Sequence, residues 1–220
     1  MEGSVVRVEV AEDAGAAAAR AAVIVADAIA AAAPGPFSLA VSGGSTPGAM
    51  FRLLAARDDV PWGGVGVWQV DERFAPPGPD RNAAFLDSGL PGKVAFHAMD
   101  VDATDADAAA AAYARGLPER FDLVHLGLGA DGHTASLVPG DPTAAVRDRD
   151  VVVTAPYRGY RRMTITAPVI ERAGLALFLV TGADKRGALE LLRAGDPSIP
   201  AGALRLAGAV VVADRDAAGG

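Results

Sequence analysis

Apolar and polar positions along this chain fall into two alternating rhythms. Short β-branched and apolar runs recur at 5–10, 37–41, 65–70, 121–126, 151–154, 175–180 and 209–213 and are read as strands. The stretches between them carry helical patterning, which predicts helices over 14–33, 47–57, 81–88, 104–116, 167–173 and 183–194. Alternation of this kind marks βαβ units. It predicts an α/β protein with a mostly parallel, Rossmann-like three-layer sheet. No internal repeat, long linker or low-complexity break divides residues 1–220, so they are read as a single α/β domain. The Pro/Gly-rich APPGPD at 75–80 reads as a surface loop, and RRMTIT at 161–166 as a short extended segment.

Composition narrows the function classes. With 51% hydrophobic residues among 220, the chain can bury a large core. A net charge of −7 without a Lys/Arg cluster argues against nucleic-acid binding, so an anionic ligand must be held by a few local donors. The lack of cysteine excludes disulfides and thiolate metal sites and fits a reducing cytoplasm, while three dispersed histidines argue against zinc. The alanine-rich stretch 14–33 is the one that imitates a membrane segment. It contains Arg20 and Asp27 and follows the acidic Glu9, Glu12 and Asp13, so it reads as a surface helix with an alanine packing face, and no membrane is expected.

In an open parallel sheet, ligands sit beyond the carboxyl ends of the strands, which directs attention to four strand-to-helix loops. In LAVSGGSTPGAM, at 39–50, Thr46 suits a helix N-cap and Pro47 the first helical position. Gly43 and Gly44 let the backbone wrap an anion, and Ser45 and Thr46 add hydroxyl donors; the plain alternative is a tight turn with a good cap. The glycine spacing matches neither a nucleotide P-loop nor GxGxxG, so a small sugar phosphate suits the loop better than ATP or NAD. In WQVDERFAP, at 68–76, Arg73 is placed to meet an oxyanion or phosphate, with Asp71 or Glu72 orienting it, or else the triplet is a solvated turn. Asn82 is a weaker pocket candidate.

The third loop, GLGADGHTASLVPG at 127–140, sets Asp131 two residues from His133. The carboxylate can fix the imidazole as a general base, and a loop histidine without chemistry is the alternative. Ser136 lies outside any GxSxG elbow. His125 reads as a core histidine within its strand, and His97 has no neighbours that point to a site. In the fourth, LFLVTGADKRGALELL at 177–192, Lys185 falls in a helix's first turn, where the dipole disfavours a cation; it requires an anion nearby or is an exposed helix lysine. Arg161 and Arg162 offer a second cation.

SGGSTP, VDER, GLGADGHTAS, RMTIT and TGADK, in this order and at these intervals, resemble the 6-phosphogluconolactonase family over residues 37–192. The resemblance implies the fold shared with ribose-5-phosphate isomerase and glucosamine-6-phosphate deaminase. It also implies hydrolysis of 6-phospho-D-glucono-1,5-lactone to 6-phosphogluconate, in the oxidative pentose phosphate pathway, without cofactor or metal. By the same resemblance His133 is the base that activates water, with Asp131 beside it. Gly43, Gly44, Ser45 and Thr46 hold the phosphate with Lys185 and Arg162, with Asp71 beside them, and Arg73 steadies the phosphate or the developing oxyanion. The deaminase branch is the near alternative. Its motif continues to an asparagine and a glutamate where this chain has Leu137 and Val138. Arg81 stands where the family often has serine, and His125 where it usually has an aliphatic. A non-catalytic sugar-phosphate sensor is the third reading, weakened by the absence of a basic recognition helix. A monomer is expected, with a dimer as the alternative.

Overall fold

A computed structural model describes residues 6–87, 90 and 94–220. Val5 and Ser88, outer ends of an expected strand and helix, lie outside them. In chain order the elements are β1 (Val6–Ala11), α1 (Ala14–Ala32), β2 (Phe37–Val41), α2 (Ser45–Ala55), β3 (Val65–Gln69), β4 (Asp71–Arg73), α3 (Asn82–Asp87), β5 (Ala95–His97) and α4 (Ala106–Arg115). They continue with β6 (Leu123–Leu126), β7 (Val151–Val153), β8 (Arg162–Ile165), α5 (Ala167–Glu171), β9 (Leu175–Val180), α6 (Arg186–Ala194), β10 (Ala209–Asp214) and α7 (Arg215–Ala218).

Seven strands form one sheet in the order β1-β10-β9-β6-β2-β3-β5, and every neighbouring pair is parallel. The strand LALFLV is apolar throughout, and AVVVAD is apolar up to the Asp214 that caps α7, because both faces of the sheet are covered. Side chains still alternate: Val210 and Val212 join the core under α1, α2 and α3, while Val211 and Ala213 join the core under α4 to α7. The α1 helix is capped by Asp13, whose carboxylate accepts the amide of Ala16 at 2.8 Å. By length and composition α1 is apolar enough to cross a membrane. Its Ala17, Ala18, Ala21, Val25 and Ile29 are instead buried in the protein core, where small side chains let backbones approach.

The sequence pattern missed β5 and a second sheet. β4, β8 and β7 pair antiparallel in the order β4-β8-β7. The chain changes sheets at Val70: its amide donates to the carbonyl of Val41 at 2.9 Å, while its own carbonyl accepts from the Ile165 amide at 2.9 Å. β3 therefore ends at Gln69, and Asp71 and Arg73 face Thr164 and Arg162 across the new ladder. Three consecutive charged residues carry no apolar alternation, so this strand is imposed by pairing and not by propensity.

Candidate active site

A cavity of about 350 Å³ opens at the carboxyl edge of the large sheet, and all four chemistry-bearing loops contribute to its wall. That volume suits a small polar metabolite.

The loop after β2 arrives first. Ser42 donates to the carbonyl of His125 through both its amide and its hydroxyl, each at 3.2 Å. Gly44 then takes a φ of 117°, open to glycine and strained for other residues, and turns the chain into α2. The expected Thr46 cap and Pro47 start do not form. α2 begins at Ser45 with Gly44 in the cap position, and no side chain caps its first turn. The glycine supplies the turn that a hydroxyl cap would otherwise stabilise, and a helix's first amides have no intrahelical acceptor. Gly43, Gly44 and Thr46 line the cavity. The Ser45 side chain lies outside the described residues. Thr46 Oγ1 is 3.4 Å from Thr181 Oγ1, which draws the loop after β9 alongside α2.

That neighbouring loop carries Lys185. The lysine ends a short 3₁₀ turn, Ala183–Lys185, just before α6, not inside a helix running from 183. Its Nζ is 2.8 Å from the Asp184 carboxylate, so part of the expected anion is its own neighbour; the side chain also lines the cavity.

The DER strand behaves differently from expectation. Neither carboxylate orients the Arg73 side chain, whose Nη1 donates to the carbonyl of Asp80 at 2.6 Å. The Glu72 carboxylate is consumed in structure, accepting the amides of Asn82 and Ala83 at the start of α3 and the Gln69 side chain, each at 2.7 Å. Asp71 is buried and accepts from Ser136 Oγ at 2.6 Å and Asn82 Nδ2 at 3.0 Å, with Arg162 Nη1 3.7 Å away. Burial pushes the Asp71 carboxyl up from its ordinary value, against the pull of Ser136 and Arg162. Ser136, fully buried and donating to Asp71, is committed to the scaffold.

Arg162 is 6% exposed, and its Nε has no partner. Burial lowers its pKa, opposed by Asp71, yet a guanidinium stays charged. A buried, incompletely bonded cation facing a cavity is a ready anion site. Arg161 is elsewhere: its guanidinium stacks over Phe74, 5.7 Å from the ring centre.

After β6 the backbone curls tightly, with the Gly132 amide donating to Gly129 and the Gly129 amide to His133, both at 2.9 Å. His133 Nδ1 lies 2.6 Å from Asp131 Oδ1. A Cβ on Gly129 would overlap the imidazole and the Asp131 carboxylate, so only glycine admits the pair. Burial works against the ionised Asp131, but the bonds from His133 and Tyr157 outweigh it and hold its pKa down at about 2. With Asp131 ionised, Nδ1 carries the proton and Nε2 is left for the cavity.

Sequence reading missed Tyr157 and Arg158, which belong to the hairpin between β7 and β8. The Tyr157 hydroxyl donates to Asp131 Oδ2 at 2.8 Å, and its ring stands edge-on to His133 with centroids 5.5 Å apart. The YRGY segment at 157–160 was the available signal, a glycine-containing two-residue turn between aromatics. The other two histidines stay out of the cavity wall. His97 stacks on Trp68 at 4.1 Å, and His125 is fully buried against Phe51 with both ring nitrogens unpartnered. Burial pushes the His125 pKa down to about 4.

A parallel α/β sheet whose carboxyl edge gathers a helix N-terminus, a buried arginine and a carboxylate-bound histidine has the groups to hold a small anion beside a proton acceptor. The chain belongs to the glucosamine-6-phosphate isomerase/6-phosphogluconolactonase family, whose model matches residues 11–212. It is 41% identical over 170 residues to the GDH/6PGL endoplasmic bifunctional protein of Homo sapiens; the match takes in 69% of this chain and 22% of that protein. It is 37% identical over 171 residues to the 6-phosphogluconolactonase of Synechocystis sp., with 70% of each chain covered. The crystal structure of 6-phosphogluconolactonase from Leishmania guyanensis superposes with a TM-score of 0.88 over 98% of both chains at 24% identity, a likeness of fold.

Proposed function

We propose that the protein is a cofactor-free cytoplasmic hydrolase that opens 6-phospho-D-glucono-1,5-lactone to 6-phosphogluconate. The observation that carries the reading is an imidazole tied through Nδ1 to an ionised carboxylate, in the cavity that also holds the α2 amides, Lys185 and Arg162. Relatives named 6-phosphogluconolactonase support it.

His133 Nε2 takes a proton from water as that water attacks the lactone carbonyl, and Asp131 stabilises the imidazolium that forms. The tetrahedral intermediate collapses by expelling the ring oxygen, which takes the proton back from His133. The product acid then releases a proton to solvent at neutral pH. Arg162, the cation with the largest unmet need for an anion, is assigned to the phosphate together with Lys185, Gly43, Gly44, Ser45 and Thr46. Asp71 holds Arg162 in place. Arg73, partly committed to the Asp80 carbonyl, is assigned to the carbonyl oxygen, where an oxyanion donor is worth about 10²–10³-fold.

Leu137 and Val138 are buried and apolar, so these two positions offer no acid/base group for the enolisation that a deaminase requires. The test is to supply freshly generated 6-phosphogluconolactone and, separately, glucosamine 6-phosphate, following acid release in one and ammonia in the other. Acid release is expected. Ammonia would overturn the lactonase reading in favour of the deaminase, and silence in both would leave the sensor.

A further inference from the structure

The hairpin between β7 and β8 reaches both reactive ends of the cavity. Tyr157 and Tyr160 face each other across it, each amide bonded to the other's carbonyl at 2.9 and 3.3 Å. At the tip Arg158 and Gly159 take φ values of 49° and 88°, the paired positive angles of a two-residue turn whose twist matches its strands. Arginine seldom adopts such an angle, so the turn is held by the contacts on either side of it. On one side the Tyr160 hydroxyl donates to Asp80 Oδ2 at 3.0 Å, and the Asp80 carbonyl holds Arg73. On the other the Tyr157 hydroxyl donates to Asp131.

Resting on the lactonase reading, we infer that Tyr157 is a positioning residue for the base, the third member of a Tyr157–Asp131–His133 array. Asp131 sits on a loop with about a third of its side chain exposed. One carboxylate oxygen faces His133 Nδ1 and also accepts the His133 amide at 3.3 Å; without a partner on the other oxygen the carboxylate stays beside the ring but pivots about that oxygen, and the imidazole loses its fixed tilt. The tyrosine hydroxyl occupies that second oxygen at 2.8 Å, and its ring closes against the imidazole edge. Burial and the adjacent carboxylate raise the Tyr157 pKa, which keeps the hydroxyl a donor. Arg162 and Arg158 lie 5.3 and 5.1 Å from the centre of the same ring, so Tyr157 also joins the base to the cationic wall. The bond carries an electronic consequence. A hydroxyl draws charge from the carboxylate and so moderates the support that Asp131 gives to a protonated His133.

Tyr157→Phe removes the hydroxyl and keeps the ring. On 6-phosphogluconolactone we expect kcat to fall roughly tenfold with KM unchanged, as for loss of one hydrogen bond to a charged group that orients a reacting side chain. The acid limb of the kcat/KM profile should move to higher pH, because the freed carboxylate favours the imidazolium more strongly. In a His133→Ala background the same change should add nothing. A rise in KM alone, an unmoved acid limb, or an equal loss without the histidine would overturn the assignment. NMR titration of the His133 ring protons reads the same coupling without substrate. A shift to higher pH in Tyr157→Phe supports the array even if wild type proves inactive on the lactone, and no shift overturns it whatever the activity.

Discussion

Asp71 leaves the end of β3 and Asp131 follows β6, one on either side of β2, and both contribute to the same small neighbourhood. Asp71 is buried among Ser136, Asn82 and Arg162, and burial raises its pKa. Asp131 is partly exposed, bonded by His133 and Tyr157, and its pKa is held at about 2. The contrast separates two uses of one side chain. A carboxylate surrounded by fixed donors and a buried cation shapes the cavity, whereas one that faces an imidazole at the solvent boundary is placed to assist the proton transfer of the proposed hydrolysis.

Removing the base should break the Asp131 side of this contrast most severely. His133→Ala is expected to lower lactonase kcat by about 10²–10⁴-fold while a substrate analogue binds nearly as before, measured by acid release and calorimetry. On the Asp71 side the loss should fall on the fold. Asp71→Ala strands Arg162 as a buried unpaired cation and should lower unfolding free energy by about 3–5 kcal/mol in urea titrations. If it lowered kcat with no change in stability, the division of labour would be wrong.

A buried control sharpens the comparison. His125 has a folded pKa of about 4 against an ordinary 6.5, so its neutral form stabilises the fold fully above pH 6.5 and that contribution is lost as pH falls toward 4. The loss amounts to about 3 kcal/mol by linkage. His125→Leu should flatten the stability profile across that window, and an unchanged slope would show that another group governs it. Lys185→Ala should raise KM for the lactone roughly tenfold with kcat little changed, through one lost phosphate contact. For Asp131 the depressed pKa gives stability above its ordinary 3.8 that vanishes as pH falls toward 2. The melting-temperature deficit of Asp131→Asn at pH 5 should therefore close by pH 2.

Much of this architecture was legible in the sequence. The parallel order of the large sheet follows from apolar runs that must be covered on both faces, and β2, β6, β9 and β10 declare themselves that way. The short β4 did not, because DER has no apolar member and is a strand only through its pairing with β8. Among site residues, His133 and Asp131 were visible as near neighbours in a glycine-rich loop. The partnership of Asp71 with Arg162, and of Tyr157 with Asp131, joins residues 91 and 26 positions apart, and no local pattern encodes such distances. Lys185 was visible, but its pairing with the adjacent Asp184 depends on side-chain conformation, which adjacency alone does not give.

Since any Cβ on Gly129 falls on the imidazole and the carboxylate together, every single amino-acid replacement at 129 strikes His133 and Asp131 in one step. A lineage holding this arrangement can exchange much of the surrounding loop but has no gradual route away from glycine at that one place. Variants recovered from random mutagenesis under selection for turnover should be empty of changes at 129, while those selected for folding alone need not be.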